Sequence, residues 1–214
     1  MPQATGYVGP QTASAASTST GVRQDITGSL IVSQGRSFHA EQVSRGLVYA
    51  ASIPPGTGQA PGTAIGTTAC MTLANAAAAT VRLVLLRISV GYVSGTLGAG
   101  VLALLAHFSA GSSIVAPAGG TAIVPTNMLL GSQNVSVANC RFNNTVPAAG
   151  LQIRSIASFG ASLASTAVQP WQVIDYVAGE VVVGPGQAVS AQGIAAAGST
   201  PLITVTMAWA EELI

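Results

Sequence analysis

The sequence predicts an all-β fold, an antiparallel sandwich or barrel preceded by an extended N-terminal arm. Three observations predict it. Near the C-terminus Ile203, Val205, Met207 and Trp209 alternate with Thr204, Thr206, Ala208 and Ala210, the period-two signature of a half-buried strand. Short apolar runs are separated throughout the chain by Gly, Pro and Asn turn signals, the spacing of sandwiches and barrels. The first 22 residues are mostly Ala, Ser, Thr, Gly, Gln and Pro. They hold too little apolar surface to fold alone, so they read as an arm that only a partner would order.

The elements follow in order. Asp25 to Val32 is the first strand candidate. Arg36, His39, Glu41 and Arg45 then gather charge into a polar hinge, so that 1–46 is arm and hinge and 47–214 is the body. The body opens with Leu47 to Ala51. Residues 53–68 carry three Pro and four Gly and read as a loop. Ala69 to Ala74 is a strand ending at Asn75, and Ala76 to Ala79 a connection. The chain is organised around two long strands, Val81 to Val93 and Val101 to Phe108.

In the first of these, Val84, Leu86, Ile88, Val90 and Tyr92 share a face. The other face begins with Leu83 and Leu85 and turns polar at Arg87, Ser89 and Gly91. The expected core is therefore Val84, Leu86, Ile88, Val90 and Tyr92 packed with Ile203, Val205, Met207 and Trp209. The second strand is apolar on both faces, which requires cover on both, from a second sheet or a partner chain. Beyond it come a turn at 116–120, a strand at 121–124, a single helical turn at 127–130 and a strand at 135–142 turned by Asn143-Asn144. Strands follow at 151–157, 171–177 and 180–183. Gly184-Pro185-Gly186 is a stop, and 187–192 leads into a Gly/Ala loop.

Charge is the most restrictive property. Seven Arg, no Lys and six acids make 6% of the 214 residues, with a net charge of +1, against roughly 25% charged residues in an average soluble protein. A free monomer keeps a charged coat for solubility; this surface must be covered by partners or built from uncharged polar residues. Without Lys there is no dense basic patch for nucleic acid. The apolar runs are cut by Gly, Ser, Asn and Pro, short of the roughly 20 residues a spanning helix needs, and aromatics at 5% are too few for the girdles of a membrane barrel. The N-terminus shows no basic region followed by an apolar core, so no secretory signal is expected.

Chemistry is sparse. Only His39 and His107 could serve as a general base, and no Ser lies in a Gly-x-Ser-x-Gly elbow. Two Cys and two His without clustering give no zinc spacing, and a phosphate loop needs a Lys. The expectation is no catalytic residue, no metal and no cofactor. His107, on an apolar strand, reads as a satisfied core or interface histidine. Cys70 and Cys140 read as buried free thiols, Glu211 and Glu212 as exposed terminal carboxylates, and Asn143-Asn144-Thr145 as a turn rather than a glycosylation acceptor.

Three segments carry a resemblance. They are Arg23-Gln24-Asp25-Ile26-Thr27-Gly28-Ser29-Leu30-Ile31-Val32, Gly35-Arg36-Ser37-Phe38-His39-Ala40-Glu41 with Arg45-Gly46, and a C-terminal set. That set is Gly179-Glu180-Val181, Gly184-Pro185-Gly186 and Val205-Thr206-Met207-Ala208-Trp209-Ala210-Glu211-Glu212. Together they resemble virion proteins of tailed bacteriophages that decorate, or cement, the head. The resemblance implies an antiparallel β-sandwich of jelly-roll type, a homotrimer, and a non-enzymatic task on the outer capsid surface with the major capsid protein as partner, assembled in the host cytoplasm. A receptor-binding or head-fibre role is the alternative. The expected capsid or subunit contacts are Tyr7, Val8, Arg23, Arg36, His39, Glu41 and Arg45.

Overall fold

A computed structural model describes residues 39–96, 98–108, 117–160, 172–196 and 199–214. The chain divides into two units, 1–41 and 42–214. Of the first, only His39 to Glu41 are described. The short helix α1 (Ala40–Ser44) runs across this division in the sequence, and beyond it the described elements of the second unit are all β-strands. Its strands are β1 (Val48–Ser52), β2 (Thr68–Ala74), β3 (Val81–Ser94), β4 (Gly100–His107), β5 (Thr121–Ile123), β6 (Thr126–Asn127), β7 (Asn139–Thr145), β8 (Leu151–Phe159), β9 (Gln172–Val183), β10 (Ala188–Ala195) and β11 (Leu202–Leu213).

The strands form two antiparallel sheets. One has the order β6-β1-β11-β3-β9, the other β5-β7-β2-β10-β4-β8. Their inner faces contribute to a single hydrophobic cluster, an arrangement consistent with a β-sandwich. Tyr49, Leu83, Leu85, Ile88, Val90, Ile203, Val205, Met207 and Trp209 come from the first sheet. Met71, Leu73, Leu102, Leu104, Phe142 and Val189 come from the second. Each fully buried aliphatic side chain contributes about 1.5–3 kcal/mol, so this cluster dominates the stability of the unit.

β11 behaves as its alternation requires: Ile203, Val205, Met207 and Trp209 are buried while Thr204 and Thr206 are only partly covered. β3 does not keep one face throughout. Trp209 pairs with Leu85 and Ala208 with Arg87, leaving Leu86 as an extra residue. This bulge shifts the side-chain parity. Before it Leu83 and Leu85 enter the core; after it Ile88 and Val90 do. Val84 and Leu86, expected beside Ile88, therefore lie in a small separate cluster with Val43, Val48 and Ala210. Tyr92 keeps the parity of Val90 but is only partly buried, its hydroxyl donating to the Gly95 carbonyl.

β4 is buried on both faces, as its composition required. Leu102 and Leu104 enter the shared core, and Ala103 and Leu105 on the opposite face are equally inaccessible. The four central residues, Leu102 to Leu105, are buried within one chain, while Gly100, Val101 and Ala106 are only partly covered.

Other expectations change. Residues 127–130 form no helical turn, because β6 occupies 126–127. β7 starts at Asn139 and runs through Asn143-Asn144, where Asn143 takes a left-handed φ of 52° and buried Asn144 donates to Thr72 Oγ1. β9 is one strand from Gln172 to Val183, so the two short strands expected there are continuous from 172 on (Trp171 lies outside the described residues), with Ala178 and Gly179 at positive φ where its pairing with β3 shifts. Residues 188–192 belong to a longer strand, β10, which runs on to Ala195 in the middle of its sheet. Cys70 and Cys140 are both buried and free.

Candidate functional site

Of the contact residues expected from sequence, Tyr7, Val8, Arg23 and Arg36 lie outside the described residues. His39 precedes α1 with a left-handed φ of 63°, Glu41 is an exposed acid in the helix's first turn, and Arg45 is exposed just after its end.

The most developed polar constellation is one the sequence did not assemble. It lies on the outward face of the six-stranded sheet, where β4 and β10 pair with Ser190 opposite Leu105 and Ala188 opposite His107. His107 Nε2 is 2.7 Å from Ser190 Oγ, and Nδ1 is 3.1 Å from the Ala148 carbonyl. Gln192 Nε2 donates to Ser190 Oγ at 3.0 Å, and Gln192 Oε1 accepts from the Gly66 amide at 2.9 Å. Four stretches distant in sequence are thus tied through one ring. Burial pushes the His107 pKa down, opposed by its bond to the Ala148 carbonyl. A cavity of about 110 Å³ lies against the ring, bounded by Phe108, Pro147, Ala148 and Leu151.

A serine hydroxyl on a histidine nitrogen is the first half of a nucleophilic triad. Here the third partner is a carbonyl and Ser190 has no accessible surface, so its oxygen cannot meet a substrate from solvent. The group is built as a structural network. Among the described residues no three His, Cys, Asp or Glu side chains cluster as metal ligands.

The second constellation closes one side of the unit. β8 and β9 are edge strands of the two sheets. Arg154 on β8 reaches across, with Nε 2.8 Å from Asp175 Oδ2 and Nη1 2.7 Å from Glu180 Oε2, both on β9. Glu180 sits in the irregular part of β9 beside Gly179, so the register shift delivers the second carboxylate. Around this charged clip the edge strands carry exposed apolar side chains: Leu151 and Ile153 on β8, Ile174, Tyr176 and Val182 on β9. Tyr176 is 68% exposed and Leu151 63%.

Elsewhere Met128, Leu129, Leu130, Val135 and Val137 are exposed in the uncharged stretch between β6 and β7. This stretch is held by Glu211, which the sequence reading left exposed. Its side chain is buried and accepts from Ser136 Oγ at 2.5 Å and the Val137 amide at 3.0 Å. Glu212 pairs with Arg82 at 3.0 Å. No helix among the described residues is long and apolar enough to cross a membrane.

Comparison with protein-family models, with curated proteins and with solved structures finds no match. The two constellations join residues far apart in the chain, and no local motif announces them. The one available signal was His107 itself, a polar ring in an apolar strand.

Proposed function

We propose that this protein is a non-enzymatic structural component of an assembled particle, and specifically a decoration protein that binds the outer face of a tailed-bacteriophage head as a homotrimer. The observation that carries the reading is a surface with too few charges and too many exposed apolar side chains for a free monomer. Charged residues are 6% of the chain, while Leu130, Val135, Tyr176 and Leu151 stand largely in solvent. Exposed apolar surface rimmed by polar residues marks interaction sites. The resemblance at 23–46 and 179–212 supplies the phage head.

The fold supports it as a jelly roll. Leaving out β5 to β7, the eight remaining strands pair first with last (β1 with β11), second with seventh (β2 with β10), third with sixth (β3 with β9) and fourth with fifth (β4 with β8). A long hairpin rolled up gives that pairing, and it divides between the sheets as β1-β11-β3-β9 and β2-β10-β4-β8. Jelly rolls recur in viral capsids and lectins. On this reading β5 to β7 are an insertion between the fourth and fifth strands, adding to the β1 and β2 edges.

The mechanism is mass action: a ligand that binds only the assembled lattice stabilises it. The major capsid protein is the partner, with Tyr7, Val8, Arg23, Arg36, His39, Glu41 and Arg45 as proposed contacts. Neither nucleic acid nor membrane is part of this reading. Quantifying protein copies in purified particles tests it. Hundreds of copies over the head are expected; a few copies at a vertex or tail overturn decoration in favour of receptor binding. A well-folded monomer at micromolar concentration in sedimentation overturns the trimer. A chain lacking residues 2–22 should still fold and trimerise but lose head occupancy.

A further inference from the structure

We infer that His107 is an acid-sensitive latch, holding the 146–150 connection against the β4–β10 pair only while its ring is neutral. The direction of every bond in the network follows from chemistry. The Ala148 carbonyl can only accept, so His107 Nδ1 carries the hydrogen. In a neutral ring Nε2 is then an acceptor, so the Ser190 hydroxyl donates to it. Ser190 Oγ is left to accept from Gln192 Nε2, whose amide oxygen takes the Gly66 N–H. Each bond in the chain from Ala148 to Gly66 thus has one assigned donor and one assigned acceptor.

Protonation puts a hydrogen on Nε2, facing the serine hydrogen at 2.7 Å. Ser190 must turn its hydroxyl away, and its other partner, Gln192 Nε2, is a donor. Among the described residues no carboxylate forms an ion pair with the ring, so the new charge is uncompensated there. β4, β10 and the connection before β8 contain no charged residue. On β8, Arg154 is a cation already committed to Asp175 and Glu180. On β2, the Cys70 thiol is pushed up to about 12 by burial and stays neutral. An unpaired buried charge is costly, and the least disruptive relief is to hydrate the ring. The cavity beside it, walled by Pro147, Ala148 and Leu151, places the 146–150 connection as the part that lifts.

The sign follows from linkage. Burial lowers the folded-state pKa below the ordinary 6.5, so the unfolded chain binds more protons. Stability is full above that value and falls as pH drops below it, until the folded-state pKa is reached. The latch is independent of the assembly proposal and is tested on the full chain by denaturant unfolding between pH 8 and 5. The wild type should lose up to about tenfold in its folding constant per pH unit below 6.5, and His107→Gln, whose amide does not titrate, should lose this part of the slope. Equal slopes in the two proteins overturn the latch. Nitrogen NMR of the wild-type ring needs no variant: the Nδ1–H tautomer at pH 7 is expected, and the Nε2–H tautomer overturns it. The Gly66 amide, corrected for intrinsic rates, should exchange faster at pH 5.5 than at pH 7; unchanged protection overturns the coupling along the network.

Discussion

Tyr49 and Trp209 stack across the β1–β11 ladder, directly paired in register, with ring centroids 6.3 Å apart and planes inclined by 25°. Trp209 has no accessible surface. The pair fills the inner face of the first sheet at the point where the Leu86 bulge changes the parity of β3, and Leu85 is the residue opposite Trp209 on that side. Trp209→Ala should therefore cost about 3–5 kcal/mol, the range for emptying a large aromatic site, and lower the melting temperature on the order of 10 °C. An unchanged melting temperature would contradict the packing described.

Arg154 joins two carboxylates of unequal exposure, which ranks the variants. The Asp175 side chain is 15% exposed and that of Glu180 71%. Glu180→Ala removes a solvated partner and should cost at most about 0.5 kcal/mol. Arg154→Ala leaves Asp175 part-buried and unpaired and should cost about 1–2 kcal/mol. Arg154→Lys should recover only part of this, because an ammonium cannot bridge both carboxylates as a planar fork does. Denaturant midpoints give the order, and raising salt should weaken the Glu180 contact first.

What the sequence made legible follows the same physics. β11 was readable because its apolar and small polar residues alternate without interruption from Ile203 to Thr206 and onward to Trp209. β3 was readable as a strand but not as a face. Leu83 to Leu86 are apolar at both parities, so nothing local marks the extra residue, and the bulge is set by pairing with β11 and β9. β10 was not readable as a strand because Ala188-Val189-Ser190-Ala191-Gln192-Gly193 lacks both alternation and β-branched density; it is a strand because β2 and β4 flank it. The His107 network was invisible for a related reason. Ser190 is 83 residues from His107, and only the order of strands in the sheet brings them together. Glu211 read as a terminal acid because the segment that buries it lies 75 residues earlier.

Both thiols should be silent in the folded protein. Burial pushes Cys70 and Cys140 up to about 12, with the Glu211 carboxylate adding to the rise at Cys140. Since the thiolate is the reactive form, neither should react with a disulfide reagent at pH 8 until the chain unfolds, and both should react in denaturant. Rapid stoichiometric labelling of the native protein would show that the sheets open locally around β2 and β7.

Gly150 offers the sharpest test of the ground around His107. It precedes β8, and a Cβ built on it would lie 2.6 Å from His107 Cε1 and 2.9 Å from the Ala106 carbonyl. One of those neighbours is backbone in the ladder between β4 and β8 and cannot retreat. The other is a ring fixed at both nitrogens. Neither has the freedom of a flexible side-chain end, so the strain of Gly150→Ala should appear as a loss of about 1–3 kcal/mol, the cost of overpacking a close-fitted site. The displaced ring must also lengthen a bond to Ala148 or to Ser190. Gly150→Ala should therefore shift the His107 ring resonances, while a substitution of comparable size at Gly56, where nothing lies within 4 Å, should leave both stability and ring unchanged. Equal stabilities of the two variants would mean that the 146–150 connection yields freely and that the ring is not held as described.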